Sequence, residues 1–350
     1  MGVLLFLERL LLTKLLPARN RVSFPMSNTT LAFFIDLEPA VTDFKESVIE
    51  GLSRAPKQLA CKFFYDETGL DLFGKICETE EYYVTRTELA LMRRIGPELA
   101  ELVGPQRTVI ELGSGSDLKI RLLLDALRAP AQYVPVDISL VHLRASAEAV
   151  AEDYPHVRVG AVCADFTVPL SIPANAIEST DGARLGYFPG STIGNLTPAD
   201  AVAFLQGLHP LLGPDGALLI GVDLSKDINI LNRAYNDAAG YTAAFNLNIL
   251  HRIATELDAS VDPAAFEHVA FFNEGKGRIE MHVRSTRRQS VRIGEDQFEL
   301  AAGELIHTEN SYKYTLDGFV ELAESAGYHS SARWTDAEDF FSIHYLTIAA

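Results

Sequence analysis

A glycine turn between an apolar segment and a helical one is the motif of this chain that most clearly suggests chemistry. Residues 108–119 read TVIELGSGSDLK, so a short predicted strand ends in Gly113 and Gly115. Glycine has no Cβ, and such a turn at the carboxyl end of a parallel strand forms the floor of a nucleotide pocket. The third glycine that a pyrophosphate binder needs is missing, and Glu111 suits a cationic ligand. This combination favours S-adenosylmethionine over NAD, although the turn alone fits a plain strand-to-helix connection equally well.

Acidic residues end the next two predicted strands. Asp137 ends the segment 132–137 and lies 24 residues after Gly113, close to the spacing of roughly 20 at which an acid binds ribose hydroxyls. Asp165 ends the segment 157–165, and Phe166 after it can cover an adenine ring. Taken alone, each acid is better explained as a helix cap or a loop residue. Three successive strands that end in such a residue or turn predict a nucleoside site.

Composition excludes several classes of protein. The chain has 350 residues, of which 48% are hydrophobic, which indicates a globular protein with a large core. A net charge of −17 argues against a nucleic-acid partner, because phosphate binding needs a basic face. The three cysteines form no metal-spaced pair and no even disulfide set, and the nine histidines are scattered. We therefore expect no metal site and a cytoplasmic location.

The N-terminus is leucine-rich at 3–17, but three charged residues interrupt the run. It is too short and too charged to span a bilayer, and it lacks the features of a signal peptide. It suits either an amphipathic helix on a membrane or a partner, or an extension outside the fold. We favour the extension, for residues 1–34, with Met26 as a possible natural start, and we expect no stable membrane insertion.

The rest of the chain predicts two units. Residues 35–86 have a helical pattern, whereas 87–224 alternate strands and helices, as parallel sheets do. In this alternation a fourth strand at 184–189 runs into Gly190, and a fifth lies at 216–223. Residues 225–312 are predicted to be helical to His268 and then strand-like. Residues 313–350 are predicted to add to the first sheet a helix at 315–327 and two strands near 328–335 and 341–348. The predicted architecture is α/β: a Rossmann-like nucleoside-binding domain at 87–224 and 313–350, and a discontinuous α+β substrate domain at 35–86 and 225–312.

Seven short motifs, in this order along the chain, carry a family resemblance. They are KFFYD (62–66), EYYVTRTE (81–88), ELGSG (111–115), GSTIGNLTP (190–198), RAYNDAAG (233–240), AFEHVA (265–270) and RIEM (278–281). Together they resemble the L-histidine Nα-methyltransferases of ergothioneine biosynthesis, from about Ile35 to the C-terminus. The resemblance implies a class I methyltransferase fold with a substrate domain. It also implies S-adenosylmethionine as cofactor and trimethylation of the α-amino group of histidine to hercynine.

The resemblance also implies a role for each residue on a matching position. Cofactor binding is assigned to Gly113, Lys119, Asp137, Asp165, Phe166 and Gly190. Binding of the substrate's carboxylate and amino group is assigned to Tyr82, Asn195 and Tyr235, and binding of its imidazole to Tyr65, Met281, Glu309 and Ser311. Tyr65 and Asn195 are the candidate catalytic residues, with Tyr65 or a water route to solvent taking the proton of the substrate ammonium. Asn310 departs from the expected small apolar residue, and we expect it to point away from the pocket because side chains alternate along a strand.

Two alternatives stay open. One is a methyltransferase of the same fold that acts on tryptophan or tyrosine, which would differ at Glu309, Ser311 and Met281. The other is a catalytically silent S-adenosylmethionine-binding protein with a regulatory role. In each case the expected partner is a small molecule, and we expect the protein to act as a monomer.

Overall fold

A nine-stranded mixed sheet forms the centre of the molecule. The computed structural model describes residues 21–23, 30–37, 43–115, 117–168, 170, 172–173, 176–177 and 183–349. The strands of the sheet are β1 (Arg21–Ser23), β2 (Phe33–Asp36), β3 (Thr108–Leu112), β4 (Gln132–Asp137), β5 (Arg158–Cys163), β6 (Arg184–Phe188), β7 (Ala217–Asp223), β13 (Tyr328–Thr335) and β14 (Phe341–Ile348). Their order is β1-β2-β5-β4-β3-β6-β7-β14-β13. Strands β2 to β7 are mutually parallel, and β1, β13 and β14 are antiparallel to their neighbours.

Helices cover both faces of this sheet. The α-helices are α1 (Asp43–Ser53), α2 (Glu67–Glu78), α3 (Tyr83–Val103), α4 (Asp117–Ala126), α5 (Leu140–Asp153), α6 (Pro198–Gly207), α7 (His209–Leu212), α8 (Ile228–Ala234), α9 (Tyr241–Glu256) and α10 (Leu316–Ser325). Apolar side chains of α3, α4 and α5 pack on one face, and those of α6, α7 and α10 pack on the other. Every residue of β3 and β7 is buried, as expected for parallel strands covered on both sides.

A second unit lies on the side of α3, α4 and α5 and shares their core. It contains β8 (Phe266–Asn273), β9 (Arg278–Ser285) and β12 (Leu305–Tyr312), in the order β12-β9-β8, and the hairpin of β10 (Gln289–Ile293) and β11 (Asp296–Leu300). Helix α9 packs on β8 and on α2. Because β12 also contacts the short 3-10 helix Thr192–Asn195 that follows β6, this unit lies against the carboxyl edge of the main sheet.

The α/β prediction is confirmed, and so are the closing helix and the two closing strands, whose strand bounds agree with the prediction. The helical reading of 35–86 is wrong at its start, because Ile35 lies in β2 and pairs with Val162 of β5. The helical reading up to His268 is wrong at its end, because Phe266 begins β8. Both segments are short and rich in aromatic and β-branched residues, which sheets favour.

The expectation that residues 1–34 lie outside the fold is wrong for the last part of that range. Arg21–Ser23 form β1 and cover the outer edge of β2, and Leu31 and Phe33 are buried. An uncovered edge would expose unpaired backbone groups. The leucine-rich segment at 3–17 lies outside the described residues. In the part of the chain that the structure describes, no helix is long and apolar enough to cross a membrane.

Candidate active site

The five central strands end at one edge, where most of the predicted cofactor residues lie. Gly113 follows β3 at φ +78°, and its N–H donates to the carbonyl of Val136 over 2.9 Å. This φ favours glycine, and a Cβ there would be in van der Waals contact with the ring of Phe166 at 3.4 Å. The glycine and the Phe166 ring therefore stand next to each other, as a wall of a flat pocket requires.

Asp137 and Asp165 end neighbouring strands but have different partners. Asp137 accepts a hydrogen bond from the N–H of Ser139 over 2.8 Å, and burial raises its pKa despite this bond. Burial would also raise the pKa of Asp165, but two hydrogen bonds from Thr167 and the ammonium of Lys62 at 3.1 Å hold it below its usual range. Lys62 lies in the 3-10 helix Cys61–Phe64 of the second unit, so this ion pair joins the two units beside the nucleoside edge.

Lys119 and Gly190 meet at Glu88. The Lys119 ammonium lies 2.6 Å from Oε2 of Glu88, which is 1% exposed, and Oε1 of Glu88 accepts the N–H of Gly190 over 2.8 Å. Gly190 has φ +78°, and a Cβ there would lie 3.0 Å from the Lys119 ammonium. Glycine is thus required for this close approach of cation and backbone. Glu88 belongs to a motif quoted above but had no predicted role.

Glu111 is buried and hydrogen-bonded within the main sheet. Burial raises its pKa to about 8, and it accepts a hydrogen bond from the hydroxyl of Tyr133. Burial therefore favours the protonated form of this carboxyl in the free protein. Its hydrogen bond with Tyr133 links β3 to β4, directly beneath the glycine turn.

A β-bulge in β12 prepares the predicted imidazole site. The register against β9 shifts between His307 and Glu309, and Thr308 is the extra residue. Past the bulge, Glu309 and Ser311 share the buried face, and Met281 is the cross-strand partner of Glu309. Bulges redirect side chains in this way. Asn310 lies on the other face, where its Oδ1 is 2.8 Å from Nε2 of His307, as the alternation of a strand predicts.

Glu309 is buried at 8% exposure, and it has no hydrogen bond or ion pair with any other described residue. Burial raises its pKa to about 7, and Lys313 only partly offsets this. Burial of the Tyr65 hydroxyl, together with the nearby charge of Glu309, raises the pKa of that hydroxyl well above its ordinary value. Tyr65 therefore stays a neutral phenol, which argues against its role as the proton acceptor.

The remaining predicted substrate residues are Tyr82, Tyr235 and Asn195. The rings of Tyr82 and Tyr235 meet edge to face at 6.3 Å between centroids, and the hydroxyl of Tyr235 donates to Oγ of Ser311 over 2.8 Å. Asn195 is half-buried at the end of the 3-10 helix that contacts β12. Its side-chain amide has no hydrogen bond within the described ranges and so is available to a ligand.

A buried ionic cluster lies behind these residues and was not predicted from the sequence. Asp223 ends β7 and lies 2.6 Å from the ammonium of Lys313 and 2.5 Å from that of Lys226. It also accepts a hydrogen bond from the hydroxyl of Tyr83 over 2.9 Å. Burial alone would raise the pKa of Asp223, but the two lysines lower it. Lys313 in turn donates to Ser311 and Tyr235, so the cluster connects the main sheet to the pocket.

Two signals could have revealed this cluster. Asp223 is an acid at the end of a predicted strand, as Asp137 and Asp165 are. Lys313 lies two residues beyond Ser311 and therefore on the same face of the strand. Lys62 and Glu88 had no such signal, because their partners are distant in the chain.

The fold and this edge define the class: an α/β protein with a mixed, mainly parallel sheet whose carboxyl edge holds the candidate site. The chain belongs to the family of histidine-specific, S-adenosylmethionine-dependent methyltransferases, whose model matches residues 44–348. It is 43% identical over 318 residues to the histidine N-alpha-methyltransferase of Mycolicibacterium smegmatis, covering 89% of this chain and 97% of that protein.

Two more distant relatives are informative. Identity is 32% over 303 residues to ergothioneine biosynthesis protein 1 of Neurospora crassa, covering 83% of this chain and 33% of that protein. It is 25% over 326 residues to the 4-dimethylallyltryptophan N-methyltransferase of Claviceps purpurea, covering 87% of this chain and 94% of that protein.

Proposed function

We propose that this protein transfers methyl groups from S-adenosylmethionine to the α-amino nitrogen of L-histidine, three times in succession, giving hercynine for ergothioneine biosynthesis. Family membership and the names of the relatives support the class of substrate. The observation that carries the assignment is Glu309, a buried carboxylate without a hydrogen-bond donor among the described residues. Burying a charge without a partner costs free energy, so such a group is expected to have a ligand partner. An imidazole N–H is a matching donor.

The carboxyl edge of the main sheet suits the cofactor. We assign the ribose hydroxyls to Asp137 and the adenine to Asp165 and Phe166, with Gly113 as the pocket floor. Lys119 and Gly190 face the methionine end, where a carboxylate requires a cation. When bound there, S-adenosylmethionine supplies an activated methyl group on a good leaving group.

The second unit, at 225–312 with residues 43–86, then holds the amino acid. Asn195 and Tyr82 have side-chain groups free for the substrate's amino and carboxylate ends, and Met281 and Tyr65 line the ring pocket beside Glu309. Because the displacement needs a neutral amine in line with the methyl group, positioning carries most of the catalysis. The Tyr65 hydroxyl contributes a hydrogen-bonding group rather than a base, as its raised pKa indicates.

Methylation of a tryptophan derivative is the second candidate, because one relative at 25% identity has that name. An indole N–H could also donate to Glu309. A catalytically silent binding protein is disfavoured by Asn195 and Tyr82, because the Asn195 amide and the Tyr82 hydroxyl have no hydrogen-bond partner among the described residues.

The test is product analysis by mass spectrometry after incubation of the purified protein with S-adenosylmethionine and a panel of amino acids. We expect mono-, di- and trimethylated histidine in order of appearance. Asn195→Ala should lose most activity while it still binds the cofactor, whereas Asn229→Ala, an exposed asparagine on α8, should match the unmodified protein. Methylated tryptophan or tyrosine without methylated histidine would refute the proposal. Cofactor binding with no product at all would indicate the silent protein.

A further inference from the structure

Lys313 is a buried cation whose three hydrogen-bonding directions are all used. Its ammonium lies 2.6 Å from Oδ2 of Asp223, 2.7 Å from Oγ of Ser311 and 3.1 Å from the hydroxyl of Tyr235. The side chain is 1% exposed. An ammonium has three N–H donors and no acceptor, so the two hydroxyl oxygens must act as acceptors toward it.

A further hydrogen bond joins the two hydroxyl groups. Tyr235 donates to Ser311 over 2.8 Å, so the Ser311 oxygen accepts from both Tyr235 and Lys313. Its two lone pairs are then filled, and only its own proton remains. Among the described residues that proton has no acceptor, so it is available to a ligand.

A matching acceptor lies on the same face of the strand. Glu309 precedes Ser311 by two residues, about 7 Å along β12, and it is buried without a donor in the described part of the chain. The pocket therefore has one acceptor and one donor side by side. A neutral imidazole has the complementary pair, one N–H and one bare nitrogen, whereas an indole has only the N–H.

We propose that Lys313 is a positioning residue for substrate selection: it fills the second lone pair of Ser311, so that this hydroxyl can only donate, to the bare imidazole nitrogen, while Glu309 accepts from the N–H. This inference rests on the proposed function and extends it, since it predicts that a ring with a single N–H binds less well than imidazole. Lys313 acts through Ser311 and does not touch the substrate.

The probes are L-histidine and the two pyrrolylalanines, in each of which one ring nitrogen is replaced by C–H. For the unmodified protein we expect kcat/KM for histidine to exceed that for the better pyrrolylalanine by about 10- to 100-fold. In Lys313→Met this ratio should fall to the value measured for Ser311→Ala. The change should lie in KM for histidine, with the cofactor Kd unchanged. If the histidine-to-pyrrolylalanine ratio is unchanged in Lys313→Met but falls in Ser311→Ala, the inference is wrong.

Lys226→Met is the matched control. Lys226 is the other buried lysine on Asp223, but its remaining hydrogen bonds go to the hydroxyl of Tyr83 and the carbonyl of Leu224. Its loss should disturb the cluster and leave the histidine-to-pyrrolylalanine ratio unchanged. A fall of the ratio equal to that of Lys313→Met would show a general effect of the cluster and refute the specific role.

Two further measurements keep the inference testable. If Lys313→Met does not fold, the double variant Asp223→Asn/Lys313→Met keeps the net charge of the cluster and should show the same fall in the ratio. Nitrogen-15 NMR of ring-labelled histidine bound to the unmodified protein should show one protonated and one bare ring nitrogen, and two protonated nitrogens would overturn the inference. Absence of any histidine methylation would instead refute the proposed function before the ratio is measured.

Discussion

Asp223 and Glu309 are both buried carboxylates on strands that meet at the substrate pocket, but their surroundings are opposite. Asp223 has two lysine ammoniums and the hydroxyl of Tyr83 within hydrogen-bond distance. Glu309 has no such partner in the described ranges. The pKa of Asp223 is held below its usual range, whereas that of Glu309 is raised to about 7. Burial acts on both groups in the same direction, so the difference comes from the lysines.

This difference separates a structural charge from a functional one. A buried carboxylate with charged partners stabilises a junction between elements, and its partners cannot be removed without leaving a bare charge. A buried carboxylate without partners destabilises the free protein, so we expect a ligand to supply the missing hydrogen-bond donor. We therefore expect opposite changes in stability when each of the two charges is removed.

The largest effect is expected for Asp223→Asn. Two buried lysines would lose their counter-charge, and breaking a buried pair in this way costs about 3–5 kcal/mol. We expect a fall in Tm of roughly 4–7 °C for a chain of this length, measured by thermal denaturation. Asp317→Asn is the control, because Asp317 is an exposed ion-pair partner of Arg333, and such pairs contribute less than about 1 kcal/mol. Equal shifts in the two variants would show that the cluster is not structural.

The sequence predicted Glu309 and missed Asp223, and the reason is physical. Strands, turns and strand-end acids leave local patterns, which is why β4, β13, β14 and the Asp137 position could be predicted. The resemblance supplied Glu309 and Ser311. By contrast, Asp223 and Lys313 meet from strands 90 residues apart, and their pairing depends on how β12 lies against the main sheet. The bulge at Thr308 also leaves no clear signal, since it is a matter of register between strands.

The second effect is expected for Glu309→Ala and concerns the substrate. The imidazole N–H would lose its acceptor, at a cost of about 1–3 kcal/mol. We expect KM for histidine to rise about 10- to 100-fold, with little change in cofactor affinity, and the preference for histidine over tryptophan to narrow. Glu299→Ala, an exposed residue of β11, should change neither. A histidine-to-tryptophan preference equal to that of the unmodified protein, in steady-state kinetics, would show that Glu309 does not bind the ring.

The smallest effect is expected for Glu309→Gln in the absence of ligand. This change should raise the stability of the protein, whereas Asp223→Asn should lower it. The pKa of Glu309 is about 7 in the folded protein, against a usual value of 4.5. Below pH 4.5 the group is protonated in both states and costs nothing. Between pH 4.5 and 7 the folded state keeps a proton that the unfolded state has lost, so stability falls as the pH rises. Above pH 7 the full cost of the buried charge is present.

Glutamine removes that charge but leaves a buried amide in its place, so we expect a net gain of about 1–2 kcal/mol at pH 8 and a smaller gain at pH 5. The buried Glu111, whose pKa is also raised, is present in both proteins and cancels from the difference. Denaturant unfolding at the two pH values measures the gain, with the exposed Glu274→Gln as a control that should show no pH-dependent difference. If Glu309→Gln is less stable than the unmodified protein at pH 8, the carboxylate has a partner in the free protein. Glu309 and Asp223 would then both have partners in the free protein and differ only in how strongly these partners stabilise the charge. The unpaired carboxylate would no longer support a ligand site at Glu309.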